Sequence, residues 1–276
     1  MPMDVTSKNI QLQYQGYANT STLWTKDVVY SLSQFELNSK KTIHFNEALP
    51  NSLRLGKRVE RFVSAELTND KEITILAENV QIQDNKRTVG EIDCLLKQNN
   101  TVFHIEIIFK FYLYDKNSGT TEIEHWIGPN RNDSLIKKIT KLKEKQLPLL
   151  YNKHTQAVLE GIGVTAEEIK QAVIFKAQLF IPYKTKEVIE FSLVNKDCLA
   201  GFYIHFSELA QFNTCKFYIP KKINWLLKIQ TQVNWLHYPE FYIKIADSVH
   251  HQISPLCWIK FPNGTTKKFF VVWWDC

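Results

Sequence analysis

The stretch GEIDCLLKQNNTVFHIEIIFK, from Gly90 to Lys110, constrains this chain most, because it sets carboxylates into strands that are otherwise apolar. Alternation over Thr88 to Leu96 and again over Thr101 to Leu113, with Gln98-Asn99-Asn100 between, predicts a β-hairpin. Strand side chains alternate faces, so Glu91 and Asp93 share one face of the first strand, and Glu106, Ile108 and Lys110 share one face of the second. If the two faces coincide, Asp93, Glu106 and Lys110 converge. Ile92, Leu95, Ile105, Ile107 and Phe109 mark the surrounding sheet as buried, and a buried carboxylate is costly unless it is paired or metal-bound. The residues leave two readings open. One is an Asp/Glu–Lys ion pair across a hairpin. The other is a set of hard oxygens for Mg²⁺ or Mn²⁺, with the lysine placing a water or offsetting charge at phosphorus.

Upstream, Pro50-Asn51-Ser52 closes a polar, irregular segment in which one helix is expected between Ser21 and Leu37. Ser52 is expected to cap a helix, LRLGKRVERFVSAEL, whose stripe is Leu55, Val59, Phe62, Val63 and Leu67. At 100° per residue Glu60 lies on the margin of that stripe, Glu66 near its centre, and Lys57, Arg58 and Arg61 point away. Gly56 would let the helix approach its neighbour closely. Glu60 reads either as a residue reaching a site between helix and sheet, or as a solvent partner of Lys57 or Arg61.

Downstream, Ile73 to Gln83 reads as a strand turning at Asp84-Asn85-Lys86 into the Asp93 strand. A loop from Lys116 to Asp133 precedes the helix SLIKKITKLKEKQL, capped by Asp133 or Ser134 and ended by Pro148. Gln146 falls on its apolar stripe with Leu135, Ile136, Ile139 and Leu142, so the amide needs an internal partner. Lys137, Lys138, Lys141 and Lys145 take the other side, as a solvated or phosphate-tracking face. A short helix near Thr165 to Gln171 leads into AVIFKAQLFIPY, the continuous apolar run of a buried parallel strand. Beyond Tyr183 come alternating, aromatic strands, a helical piece at Phe206 to Phe212, and a last hairpin turning at Pro262-Asn263-Gly264. KFYIPKKINWLLK reads there either as packed aromatics with lysines at the rim or as a surface that tracks phosphate and stacks bases. The expected chain is therefore α/β, of the α+β kind with a mixed sheet: an extension over 1–50, an αβββαβ core over 51–182, and a strand-rich subdomain over 183–276.

With 276 residues, 44% of them hydrophobic, the chain can bury a real core, which excludes a disordered protein. A net charge of +6 favours an anionic partner without demanding one. The five cysteines are scattered without a CxxC pair, so neither a zinc site nor a disulfide framework is expected. The first residues hold no apolar signal core, and Phe269 to Trp274 is too short to span a bilayer. A soluble, cytoplasmic protein is expected.

The order αβββαβ, with Gly56 and Glu60 on the first helix, Asp93 on the second strand, and Glu106 followed by Lys110 on the third, resembles the PD-(D/E)XK, restriction-endonuclease-like nuclease superfamily. The segments LGKRVERFV, VGEIDCLL, HIEIIFKFYL and GPNRNDSLIKKITKLKEKQLPLL are similar to a bacterial family described as domain of unknown function 1853, grouped with those nucleases. The resemblance implies Mg²⁺- or Mn²⁺-dependent phosphodiester hydrolysis of nucleic acid, DNA ahead of RNA. It casts Asp93, Glu106 and Glu60 as metal ligands, Lys110 as the residue placing the nucleophile, and Gln146 as the glutamine of the helicase-nuclease branch. Two features depart from the pattern. Lys110 lies four residues past Glu106, with Ile108 in the usual lysine position, and Gln146 and Tyr151 are one residue further apart than in that branch. The alternative is a nuclease-like fold that binds nucleic acid or a protein partner without cutting.

Overall fold

The computed structural model describes residues 5–26, 28–37, 43–185 and 188–275. Helix α1 spans Val5–Ala18 and α2 Leu55–Asn69, followed by strands β1 (Ile73–Asp84), β2 (Arg87–Gln98) and β3 (Thr101–Tyr114). Then come β4 (Trp126–Ile127), α3 (Leu135–Lys141), α4 (Gln156–Ile162), β5 (Ile169–Pro182) and β6 (Leu199–His205). The chain ends with β7 (Lys216–Tyr218), α5 (Tyr238–His250), β8 (Leu256–Lys260) and β9 (Thr266–Val272). It is a mixed α/β chain of the α+β kind, with both parallel and antiparallel strand pairs. From α2 to β5 the expected helix, three strands, helices and strand are present, with the short β4 added before α3. The helix expected near Thr165 to Gln171 is only a 3₁₀ turn at Ala166–Glu168, because β5 begins at Ile169. No helix among the described residues is long and apolar enough to cross a membrane.

Contacts divide the described residues into two compact, interleaved units. The hairpin unit comprises Thr22–Phe109 and Lys137–Lys176; the aromatic unit comprises Met1–Ser21, Lys110–Ile136 and Ala177–Cys276.

In the hairpin unit the strand order is β1-β2-β3-β5. Both tight turns fall at asparagines with positive φ, Asn85 (54°) and Asn99 (54°), a conformation asparagine tolerates better than most residues. The β2–β3 register runs from Gln98↔Thr101 to Cys94↔Ile105, and Asp93 and Glu106 follow just past its last paired step. Ile82, Ile92, Leu95 and Val102 pack with Leu149, Leu150, Leu159 and Ile169. Gly90 lies against that cluster: a Cβ there would stand 2.7 Å from Leu149 Cδ2 and would push that side chain aside.

The α2 stripe is buried as expected at Leu55, Val59, Phe62, Val63 and Leu67. Four details differ. The N-cap is Arg54, with no side-chain bond, so Ser52 does not cap the helix. A Cβ on Gly56 would meet nothing within 4 Å, so the glycine mediates no close approach. Arg58 is fully buried, its Nε donating to Leu53 O at 3.0 Å and its Nη2 to Pro50 O, so the guanidinium satisfies carbonyls of the incoming loop. Lys57 turns toward carboxylates. The helix expected between Ser21 and Leu37 is absent from the described residues of that range, which form turns anchored by Trp24, its Nε1 donating to Leu32 O at 2.8 Å and its ring on Phe175. The amino-terminal helix is instead α1.

The aromatic unit orders its strands β5-β6-β9-β8-β7, with β5–β6 and β6–β9 parallel. Its core includes Phe202, Phe212, Phe217, Phe241 and Phe269, with Phe217 stacked on Phe241 at 4.0 Å. The Pro262-Asn263-Gly264 turn forms as expected, with Gly264 at φ 86°. Helix α5, a feature the strand pattern did not predict, supplies Phe241 and Ile245 to this core.

Candidate functional site

Alternation along β2 carries Glu91 and Asp93 to one face, and α2 brings Glu60 to them. One carboxylate oxygen from each of Glu60, Glu91 and Asp93 lies within 4.8 Å of the other two. Two ligands of a single Mg²⁺ stand at most about 4.2 Å apart, twice a bond of about 2.1 Å, so modest closing would let one ion reach all three. The donor set, carboxylate oxygens alone, is the kind a hard divalent cation takes. The residues present fit such an ion.

A cationic side chain already occupies the cluster. Lys57 Nζ donates to Glu60 Oε2 at 2.7 Å, to Glu91 Oε1 at 2.5 Å and to Asn79 Oδ1 at 3.0 Å. Asn79 sits inside β1 with φ 52°, a break in the strand conformation at the point where its side chain turns to the lysine. Gln81 Nε2 donates to the other oxygen of Glu91. Burial alone would lower the Lys57 pKa, but the hydrogen bonds and charges of Glu60 and Glu91 raise it overall.

The acids are raised in turn. Burial pushes Asp93 up to about 7, helped by the charge of Glu106 and then Glu60, and opposed by the Ile107 amide and Lys57. Burial also raises Glu60, against its bond to Lys57 and with repulsion from Glu91 and Glu106.

Glu106 is fully buried on β3, and both its oxygens are held. His104, two residues earlier on the same strand face, places Nε2 3.2 Å from Oε1. Gln171 Nε2 lies 3.0 Å from His104 Nδ1 and also donates to Leu147 O at 2.6 Å. An amide NH₂ can only donate, so Nδ1 accepts and Nε2 carries the proton given to Glu106. On the other side Gln146 Nε2 donates to Oε2, while Gln146 Oε1 accepts from Lys138 Nζ at 2.7 Å. The local reason is a π-helical turn over Leu142–Gln146 after α3, closed by Leu147 N on Leu142 O. Lys138 therefore leaves the outward face assigned to it, whereas Lys137, Lys141 and Lys145 are exposed as expected. Tyr151 is exposed too.

Of the five residues singled out from the sequence, Glu60 and Asp93 meet in the carboxylate cluster, and Gln146 meets Glu106. Glu106 is not in the three-acid group; its charge acts on Asp93 and Glu60. Lys110 belongs to the aromatic unit, where its Nζ lies 2.5 Å from Asp133 Oδ2. Sequence reasoning placed Glu91 on the Asp93 face but gave it no role, and turned Lys57 away from the stripe while offering it, in one of two readings, as a solvent partner of Glu60. The Lys57–Glu60 pair forms at that spacing, three residues along the helix, and what the sequence did not disclose is that the same ammonium also reaches Glu91. His104 and Gln171 carried no such signal.

No curated protein and no solved structure matches the chain. A family model matches residues 5–272, nearly its whole length, and the chain belongs to the family described as Domain of unknown function (DUF1853).

Proposed function

We propose that this chain is a metal-dependent nuclease that hydrolyses phosphodiester bonds of DNA or RNA, with DNA ahead of RNA. The observation that carries the reading is the convergence of Glu60, Glu91 and Asp93, from a helix and a neighbouring strand, within 4.8 Å. These three would hold Mg²⁺ or Mn²⁺, and the bound ion would supply Lewis acidity toward a phosphoryl oxygen and a more acidic water. Glu106, fixed by His104 and Gln146, would keep negative charge behind the cluster. Lys57, displaced from Glu60 and Glu91 by the ion, would offset charge developing on phosphorus, the role expected of Lys110. The exposed Lys137, Lys141 and Lys145 belong to the same unit and offer a phosphate-tracking face. Cys94, Cys215 and Cys257 are buried thiols, which fits a cytoplasmic enzyme.

One observation favours a second reading. Lys57 already pairs two of the three acids, which suits a nuclease-like fold that binds nucleic acid or a protein partner without cutting. Calorimetric titration of Mn²⁺ into the parent, Glu91→Gln and Asp93→Asn, beside cleavage assays on single- and double-stranded DNA and RNA, separates the two. The nuclease reading expects one ion bound, lost in both variants, and cutting by the parent only. A parent that binds nucleic acid but neither binds Mn²⁺ nor cuts would establish the second reading instead.

A further inference from the structure

The aromatic unit holds a cavity of about 730 Å³, walled by α1, β5, β6 and β9 and by the segments around Asp197 and Leu226. Its volume falls in the range of small-ligand sites. Lys268 lines it, on β9 where that strand pairs with Gly201 of β6, and is only 7% exposed. Its ammonium has two neutral partners, Gln178 Oε1 at 3.0 Å and Trp225 O at 2.8 Å. No carboxylate pairs with it among the described residues.

A buried ammonium without a counter-charge is costly, and two neutral acceptors satisfy only two of its three donors. Gln178, also lining the cavity, spends its oxygen on Lys268 and keeps an NH₂ for which no acceptor is found among the described residues. Three more lysines, Lys184, Lys228 and Lys267, line the same cavity and are exposed, against the single acid Asp197. A neutral or cationic ligand would leave this charge uncompensated. A singly charged carboxylate would offset less of it than a dianion.

We propose that this cavity is an anion site in which Lys268 and the Gln178 amide take the oxygens of a phosphate monoester on a small ligand, with Lys184, Lys228 and Lys267 at the rim. It is separate from the carboxylate cluster and does not depend on nuclease activity. Burial lowers the Lys268 pKa to about 7, so an arriving dianion would draw a proton onto the amine and strengthen its own hold.

The test uses the full chain, with inorganic phosphate and adenosine monophosphate as probes and chloride at matched ionic strength as control. Thermal unfolding is followed for the parent, Lys268→Met and Gln178→Leu. In parallel, brief acetylation at pH 7.5 followed by peptide mass analysis reads the reactivity of Lys268 with and without probe. The proposal expects either phosphate probe at millimolar concentration to raise the parent melting temperature above the chloride control. That rise should disappear in Lys268→Met and shrink in Gln178→Leu, and acetylation at Lys268 should fall several-fold. Acetylation is read on the parent, so it stands even if a variant fails to fold. No stabilisation and no protection by either probe would overturn the proposal, and so would an equal response in Lys268→Met.

Discussion

Asp93 Oδ2 accepts the backbone N–H of Ile107 at 2.9 Å, two residues past the last paired step of the β2–β3 register at Cys94↔Ile105. The carboxylate thus takes a strand amide where the ladder stops. One oxygen is anchored to β3, which holds the carboxylate in place beside Glu60 and Glu91.

That anchoring opposes burial only in part, since Asp93 rises from 3.8 to about 7. Between those values the folded protein holds a proton that the unfolded chain has released, so this group's contribution falls as pH rises from about 4 to about 7 and is flat above. Asp93→Asn removes the term. In urea unfolding with chelator present, the variant should gain roughly 2 kcal/mol relative to the parent between pH 5.5 and pH 8, at about 1.4 kcal/mol per unit. A parent–variant difference that does not change with pH would place the Asp93 pKa near its ordinary value.

Glu106 depends on two donors in a dry setting, and each should be worth a charge-assisted bond. His104→Phe leaves one oxygen of a fully buried carboxylate without its donor, an expected loss of about 2 to 3 kcal/mol. Gln146→Leu should cost about the same and also removes the bond that Lys138 gives to the Gln146 oxygen. Adding Glu106→Gln to His104→Phe should recover part of the loss, because an uncharged amide suffers less from a missing donor. Denaturant midpoints of the two single variants and the pair measure this coupling.

Lys57 and Lys110 make opposite forecasts for activity. Lys110 and Asp133 are each more than a third exposed, so Lys110→Met should cost at most about 1 kcal/mol of stability. It should leave cleavage nearly unchanged. Lys57→Met strips the cluster of its one ammonium, so Mn²⁺ should bind several-fold more tightly while cleavage falls. A Lys57→Met variant that binds Mn²⁺ no better than the parent would mean that the lysine does not compete with the ion proposed for this cluster.

How far the sequence foretold these residues follows from period and distance. The hairpin was legible to within a residue or two, because period-two alternation and Asn-rich turns are local signals. Alternation put Glu91 and Asp93 on one face of β2, but whether the β3 acid would join them depended on how the two faces met, which alternation alone does not fix. The helical wheel put Glu60 on the margin correctly but turned Lys57 outward, since a flexible four-carbon stem can bend back to acids the wheel does not include. Arg58 was missed for a similar reason, its partners being carbonyls of a loop. The wheel reached Gln146 although a π turn breaks its 100° step, and the turn itself left no mark in the sequence. His104, Gln171 and α5 depend on contacts far along the chain, which periodicity does not encode.

Lys268 gives a second pH signature, of opposite sign and in a higher window. Its folded pKa is lowered from 10.5 to about 7 by burial. Between pH 7 and about 10.5 the unfolded chain carries a proton that the folded amine lacks, so this group's contribution to stability rises with pH across that window. Below pH 7 both states are charged, and the burial penalty is felt in full. Lys268→Met abolishes the term and replaces the amine with a side chain of similar length that needs no counter-charge. Relative to the parent, the variant should therefore be more stable near pH 6.5, and that advantage should shrink steadily toward pH 9.5. Urea unfolding at three pH values, in buffers free of phosphate, reads the slope. A constant difference between parent and variant would mean that the amine stays charged in the fold, with a counter-ion that the neutral partners Gln178 and Trp225 do not supply.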